Sequence, residues 1–314
     1  MSIGKANLEI FADVLMELAQ FDKDIIVVTG DSRKSARLER FAEKYPKQIV
    51  EVGIAEQNLV GISAGLASAG KKVFAVSPAC FLTSRALEQI KNDVAYSDYP
   101  VKLIGISAGV SYGPLGSTHH SLHDIAALQA INNVDIVVPA DNFETREIIK
   151  ACINYPRPIY VRLGRNPVED IHALGTKFEI GKAISLMRGK DVTFVASGET
   201  VSIAVRASQI LMSQGISCGV ISVHTIKPFD EITILNAARE TQVLITVEEH
   251  SIYGGLGSLC ASFLLQRGVK PSFKIVGIPD EYIVTGTQEE IFRHYGITAQ
   301  GLAKTAVELL RKED

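Results

Sequence analysis

Apolar positions along the chain alternate between two periods. In ANLEIFADVLMELA, residues 6–19, they recur three and four apart, which predicts a helix with one buried face. DIIVVTGD, residues 24–31, is instead an unbroken apolar run ending in Gly-Asp, the pattern of a strand buried on both faces. The same reading predicts helices over 35–44, 56–69, 82–97 and 142–153. Between them it predicts the strands KVFAVSP (72–78), VKLIGISAG (101–109), NVDIVVPAD (133–141) and PIYVRLG (158–164). Residues 165–184 break the rhythm. A second set follows, with strands at 191–198, 218–225, 242–250 and 272–278 and helices at 199–214, 229–239, 257–266 and 297–312. Strand–helix repetition with buried strands predicts an α/β fold, as two doubly wound domains with mostly parallel sheets. The expected division is residues 1–165 and 191–314, with 166–190 as the linker, each set forming its own core.

Composition narrows the function classes. The chain has 314 residues, 46% hydrophobic and 21% charged, which is ordinary for a globular protein of two domains. A net charge of -3 without a basic tail or stripe gives no case for nucleic acid. No apolar run approaches the roughly 20 residues of a membrane span. Acidic and polar residues interrupt MSIGKANLEIFADVL, so no signal peptide is expected there. Cys80, Cys152, Cys218 and Cys260 are scattered, without a C-x-x-C pair. They read as free thiols of a reducing, cytoplasmic location.

Open α/β sheets form their sites at the carboxyl ends of strands. Polar clusters fall there at Asp31–Ser35, Ser77–Phe81, Gly109–His120 and Arg162–Arg165, and at Glu248-Glu249-His250 in the second half. Four clusters in one half point to a shared rim. Glu56 opens the helix 56–69, whose Gly61, Ala64, Gly65 and Ser68 make a smooth face for close packing. An acid at a helix start is by itself commonplace, contributing about 0.3–1 kcal/mol against the helix dipole.

In context the segment says more. GIAEQNLVGISAGLA resembles the stretch that carries the catalytic glutamate of transketolases and deoxyxylulose-phosphate synthases. SPACFLTSRALEQIKNDVAYSDYPVKLIG resembles that family's cofactor-ring segment, and GPLGSTHHSLHDIAAL its G-x-T-H loop. VVPAD, RPIYVRLGR, HTIKPFDEITI, VEEHSIYGGLGS and GIPDEYIVTGTQEEI follow in the family's order. The resemblance implies a thiamine-diphosphate-dependent transferase whose residues 1–165 are the pyrimidine-binding domain and 191–314 the transketolase C-terminal domain.

The resemblance also implies roles. Glu56 would share a proton with N1′ of the cofactor's aminopyrimidine, the step that lets the C2 proton leave, in an apolar setting that raises a carboxyl pKa. Phe81 would stand beside the aminopyrimidine, with Asp31 and Arg85 near the cofactor. His119 would bond the ketose hydroxyls and move protons during C–C cleavage. Arg165 would grip the distal phosphate, since a guanidinium fork suits a tetrahedral oxyanion. Ser35 matches a family serine at the phosphate, and Arg33 and Lys34 lie beside it. Plainer readings stand next to these: a core ring for Phe81, a helix cap for Asp31, solubilising charge for Arg33 and Lys34, and a structural turn for Gly254–Gly257 near His250. Three histidines, His119, His120 and His123, come close in sequence, but no carboxylate partners accompany them and no metal ligand is assigned.

Two departures matter. The family's magnesium-diphosphate motif, Gly-Asp-Gly with a later Asn, is missing: Ser32 follows Gly30-Asp31, and no Gly-Asp-Gly precedes Asn132-Asn133. An N-terminal transketolase subunit is therefore expected as partner, holding Mg2+ and the diphosphate, with the cofactor between the chains of an α2β2 assembly. The sugar contacts also change. Leu115 stands where the family has an acid, Ser107 where it has a histidine, and Gly4 where it has an arginine. The expected reaction is transfer of a two-carbon ketol unit from a non-standard anionic ketose, branched or sulfonated, to an aldose. The alternatives are a beta subunit of a 2-oxo-acid dehydrogenase and a scaffold without catalysis.

Overall fold

The computed structural model describes residues 2–173 and 175–311, which form two mostly parallel α/β sheets. The larger has seven strands in the order Thr225–Lys227, Asp135–Val137, Ile159–Leu163, Lys102–Ile106, Lys72–Pro78, Ile25–Thr29 and Ile49–Glu51. All its neighbours pair in parallel except Thr225–Lys227, which joins antiparallel at the edge. The smaller sheet orders Ser272–Ile278, Val243–Ser251, Val192–Ala196, Cys218–Ser222 and an antiparallel edge strand, Ile184–Met187.

The unbroken apolar runs are explained by burial on both faces. In Lys72–Pro78, Val73 and Ala75 enter one core while Phe74 and Val76 enter the other, all fully buried. Helices Asn7–Ala19 and Asn142–Cys152 cover the second of these faces, and helix Glu56–Ser68 with the π-helical turn Ile90–Tyr96 covers the first. The first core does not stop at the domain boundary. It continues into Val195, Ile221, Ile234, Leu256 and Cys260 of the second half, so the expectation of two separate cores fails. A second-half strand, Thr225–Lys227, also completes the first-half sheet.

Other boundaries move for local reasons. The helix expected over 82–97 is three pieces, Ala79–Arg85, Leu87–Gln89 and Ile90–Tyr96, because Ala86 leaves helical geometry at φ -106° and ψ 19°. The helix expected from residue 35 starts at Glu39, after a turn in which Arg37 has φ 59°. The expected linker holds two strands: Pro167–Glu169 pairs with Ile3–Ala6, and Ile184–Met187 pairs with Cys218–Ser222. Leu174 within it lies outside the described residues. The terminal helix is Ala299–Leu310; residue 312 of the expected span lies outside the described residues. Among the described residues, no helix is long and apolar enough to cross a membrane.

Candidate active site

Five neighbouring parallel strands end on one rim, and each carries expected site residues just beyond its carboxyl end. Arg165 follows Ile159–Leu163, and the loop bearing His119 follows Lys102–Ile106. Helix Ala79–Arg85, with Phe81 and Arg85, follows Lys72–Pro78. Asp31, Arg33 and Ser35 follow Ile25–Thr29, and Glu56 follows the edge strand Ile49–Glu51. Parallel strands bring all these ends to the same side, which is how the fold builds a rim from distant sequence.

Side chains on the rim make a continuous row. Glu56, at the first position of its helix and 7% exposed, accepts a hydrogen bond of 2.9 Å from Arg85 Nη1. The Arg85 guanidinium lies over the Phe81 ring at 4.0 Å from its centroid. The His119 ring meets Phe81 edge-on at 5.2 Å and Tyr112 edge-on at 5.5 Å. The Arg165 guanidinium lies over Tyr112 at 4.8 Å. A buried carboxylate thus stands at one end, an exposed guanidinium at the other, and an imidazole between them. The wholly apolar setting expected for Glu56 is not what surrounds it, because the break at Ala86 ends the helix with Arg85 against its carboxylate.

The structure does not draw every expected residue into the row. Asp31, Arg33 and Ser35 are exposed on their turn, and Arg33 pairs with Glu51 at 3.1 Å. That turn touches the site's backbone: a Cβ on Gly30 would stand 2.8 Å from Gly53 O, in the segment leading to Glu56. The loop histidines face different partners. His119 Nδ1 lies 3.0 Å from Thr118 Oγ1, His120 Nε2 lies 3.0 Å from Gly113 O, and His123 Nε2 lies 2.6 Å from Ser84 Oγ. Among the described residues, no group of three or more His, Cys, Asp or Glu side chains is arranged to hold a metal ion.

Behind the rim lies a buried polar layer between the two sheets. Arg162 Nε and Tyr160 OH donate to Asp124 Oδ2 at 2.8 and 2.7 Å, and Arg162 Nη2 donates to the carbonyls of Ser121 and Glu249. Glu248 accepts from the amides of Leu256 and Gly257; its burial pushes the carboxyl up to about 7. Tyr112 and this layer were missed by the sequence reading, apart from the Glu248-Glu249-His250 cluster at its strand end. The only sequence signal for Tyr112 was its place in the loop before His119.

Comparison with known proteins matches this arrangement to a family. The profile for the transketolase pyrimidine-binding domain fits residues 4–169, and the profile for the transketolase C-terminal domain fits residues 181–302. The chain belongs to the transketolase family. That family depends on thiamine diphosphate. One of the two subunits of an apulose-4-phosphate transketolase from Phocaeicola vulgatus is 50% identical over 303 residues, 96% of each chain. A 6-deoxy-6-sulfo-D-fructose transketolase subunit from a Clostridium species is 33% identical, over 97% of this chain and 94% of that one. Among solved structures, a split-gene transketolase described as an inactive beta4 tetramer is 34% identical, with a TM-score of 0.87, covering 98% of this chain and 99% of that one. Transketolase membership and the order of the domains agree with the resemblance read from the sequence.

Proposed function

We propose that this chain is the ring-binding subunit of a two-chain transketolase that moves a two-carbon ketol unit from a branched ketose phosphate to an aldose. The observation that carries the reading is the row from Glu56 to Arg165, which sets a proton-holding carboxylate and an anion-binding guanidinium on either side of His119. These residues fit the ring half of thiamine diphosphate: a buried carboxylate for a ring nitrogen beside an aromatic side chain with one edge turned to His119. When bound, the cofactor supplies the nucleophilic carbon and the electron sink for C–C cleavage.

The remaining steps fall to residues of this chain. Glu56 holds a proton at the pyrimidine nitrogen. Phe81 orients the ring, and Arg85 fixes the Glu56 carboxylate. His119 bonds and deprotonates a ketose hydroxyl, and its edge contacts with Phe81 and Tyr112 keep the imidazole in one plane for that transfer. Arg165 binds the anionic tail of the sugar; Ser35 and Arg33 lie further along the rim and give anion contacts from the neighbouring turn. Asp31 orients that turn toward the cofactor.

An N-terminal subunit holds Mg2+ and the diphosphate, and two copies of each chain assemble as α2β2. The absence of the family's Gly-Asp-Gly motif from this sequence supports that division, as does the naming of the relatives as subunits. The pyrimidine-binding domain is residues 1–165, the C-terminal domain 191–314, with 166–190 between them. Four buried free cysteines support a cytoplasmic location.

The sugar pocket supports a non-standard donor. A Cβ on Gly4 would stand 2.5 Å from Asn142 Oδ1 and 2.9 Å from Asp170 Oδ1, so the family's arginine has no room there. Leu115 is 54% exposed on its turn, a bare apolar side chain where the family has an acid. Ser107 is buried with its hydroxyl unpartnered. A pocket stripped of polar contacts favours a donor with fewer hydroxyls to satisfy. With the partner subunit present, kcat/KM for a branched ketose 4-phosphate is expected to exceed that for xylulose 5-phosphate by at least about tenfold. Full efficiency on xylulose 5-phosphate would overturn the proposed donor.

A further inference from the structure

We propose that Gln288 is a positioning residue for the sugar-binding rim: one side-chain amide of the second half fixes both the His119 loop and the strand end carrying Arg165, by way of the buried carboxyl pair Glu199 and Glu249. The functional consequence rests on the ketol-transfer reading above; the brace itself does not.

Gln288 opens the helix Gln288–His294, whose start is locked by a capping box between Thr287 and Glu290. Its backbone is therefore fixed while its side chain reaches inward. Asn166 Nδ2, one residue beyond Arg165, donates to Gln288 Oε1 at 2.6 Å. That contact sets the amide's orientation, because only the oxygen accepts. Gln288 Nε2 then donates to Glu199 Oε2 at 3.0 Å and to Glu249 Oε1 at 2.8 Å. Glu249 Oε1 also accepts from the backbone N–H of Val110, at the root of the His119 loop, at 2.8 Å.

The same segment lies directly on that loop. A Cβ on Gly113 would overlap Gly286 O, and one on Gly116 would come to 3.4 Å from Thr285 Oγ1. Gly113 and Gly116 both have positive φ, 38° and 72°. Gly109 and Gly164 leave the space that the two carboxyls fill: a Cβ on either would overlap Glu249 or Glu199. Four glycines and one amide thus fit the His119 loop and the Arg165 strand end against second-half carboxyls.

Two carboxylates on one amide nitrogen cannot both be ionised in a buried place without strong repulsion. A proton on one of them is part of the brace. Burial, and then the neighbouring Glu249 charge, raise Glu199 to about 8. The other charged groups facing the pair are Arg162, which favours ionisation of both, and Asp124, which opposes that of Glu249. Glu248 turns away to the amides of Leu256 and Gly257. Ionisation of Glu199 therefore puts a second negative charge on Gln288 and loosens the brace.

The test uses the full chain with its partner subunit and measures deuterium exchange of the amides in residues 107–123, corrected for the intrinsic pH dependence of exchange. In the wild type, protection falls as pH rises through about 8. Glu199→Gln, whose carboxamide stays neutral, keeps its protection through that range. Gln288→Ala lowers protection about tenfold at every pH, the scale of one lost hydrogen bond. In turnover, Gln288→Ala raises KM for the ketose by about tenfold with kcat within about twofold, and Glu199→Gln removes the alkaline rise in KM. Unchanged exchange in Gln288→Ala would overturn the brace, and so would an identical pH profile in Glu199→Gln. Exchange needs no turnover, so a complex inactive on every ketose would sink the transferase reading while the exchange result still decides the brace.

Discussion

Single residues in this chain act through partners far away in sequence, and His172 shows how much hangs on one of them. Its imidazole is fully buried, with Nδ1 2.8 Å from Asp141 Oδ2 and Nε2 3.1 Å from Glu144 Oε1. Ser222 of the second half donates to the same Glu144 oxygen at 2.7 Å. Burial alone would lower the pKa of His172, but the bonds to Asp141 and Glu144 outweigh it and raise the group to about 9 from its ordinary 6.5. A raised folded-state pKa stabilises the fold fully below the unfolded value and loses that contribution as pH rises through the folded one. Stability is therefore expected to decline between about 6.5 and 9, measured as Tm across that range. His172→Ala should flatten the decline and cost about 3–5 kcal/mol near neutral pH, because it leaves two carboxylates without their cation. A variant with the wild-type pH profile would show that His172 is not the group responsible. Nothing in the sequence marked His172, since its meaning depends on partners 28 and more residues away. Glu56, Phe81, Arg85, His119 and Arg165 were legible because each sits in a motif or at a strand end. The Arg85 contact on Glu56 was not, because it follows from where a helix breaks.

Elements were legible where both faces are buried and obscure where pairing is decided across the chain. The runs at 25–29, 72–78, 102–106 and 159–163 announce parallel strands because every residue must be apolar on both sides. Strands Thr225–Lys227, Pro167–Glu169 and Ile49–Glu51 have three residues each, too few to show a period, and they owe their structure to sheet edges supplied by other segments. Helices Asp124–Gln129 and Gln288–His294 are similarly short and were not expected. The central strand Lys102–Ile106 offers a sharp packing test at Gly105. A Cβ there would stand 2.6 Å from Cε2 and 2.7 Å from Cζ of Tyr160 on the adjacent strand. Tyr160 cannot retreat easily, because its hydroxyl is committed to Asp124 at 2.7 Å. Gly105→Ala is expected to cost about 1–3 kcal/mol, read as a lower urea midpoint at unchanged m. An unchanged midpoint would mean that the Tyr160 ring is free to shift.

For the whole molecule, the two halves form a common body around one row of side chains. A core shared between the sheets and a strand exchanged across the boundary hold the second half against the first, and the polar layer behind the rim lies at that junction. The fold class was legible from alternation alone, whereas the shared core was not, since a periodic pattern does not say which sheet a buried residue meets. The rim carries the ring-binding side of a cofactor site, and the sequence lacks the family's motif for the diphosphate. The most direct measurement is calorimetric titration of thiamine diphosphate with magnesium into this chain alone, and then into its mixture with the N-terminal subunit. The expected result is tight binding in the mixture, one cofactor per copy of this chain, and no tight binding by the chain alone. Equally tight binding by the isolated chain would contradict a composite site, and no binding in the mixture would contradict the ring-binding role assigned to Glu56 and Phe81.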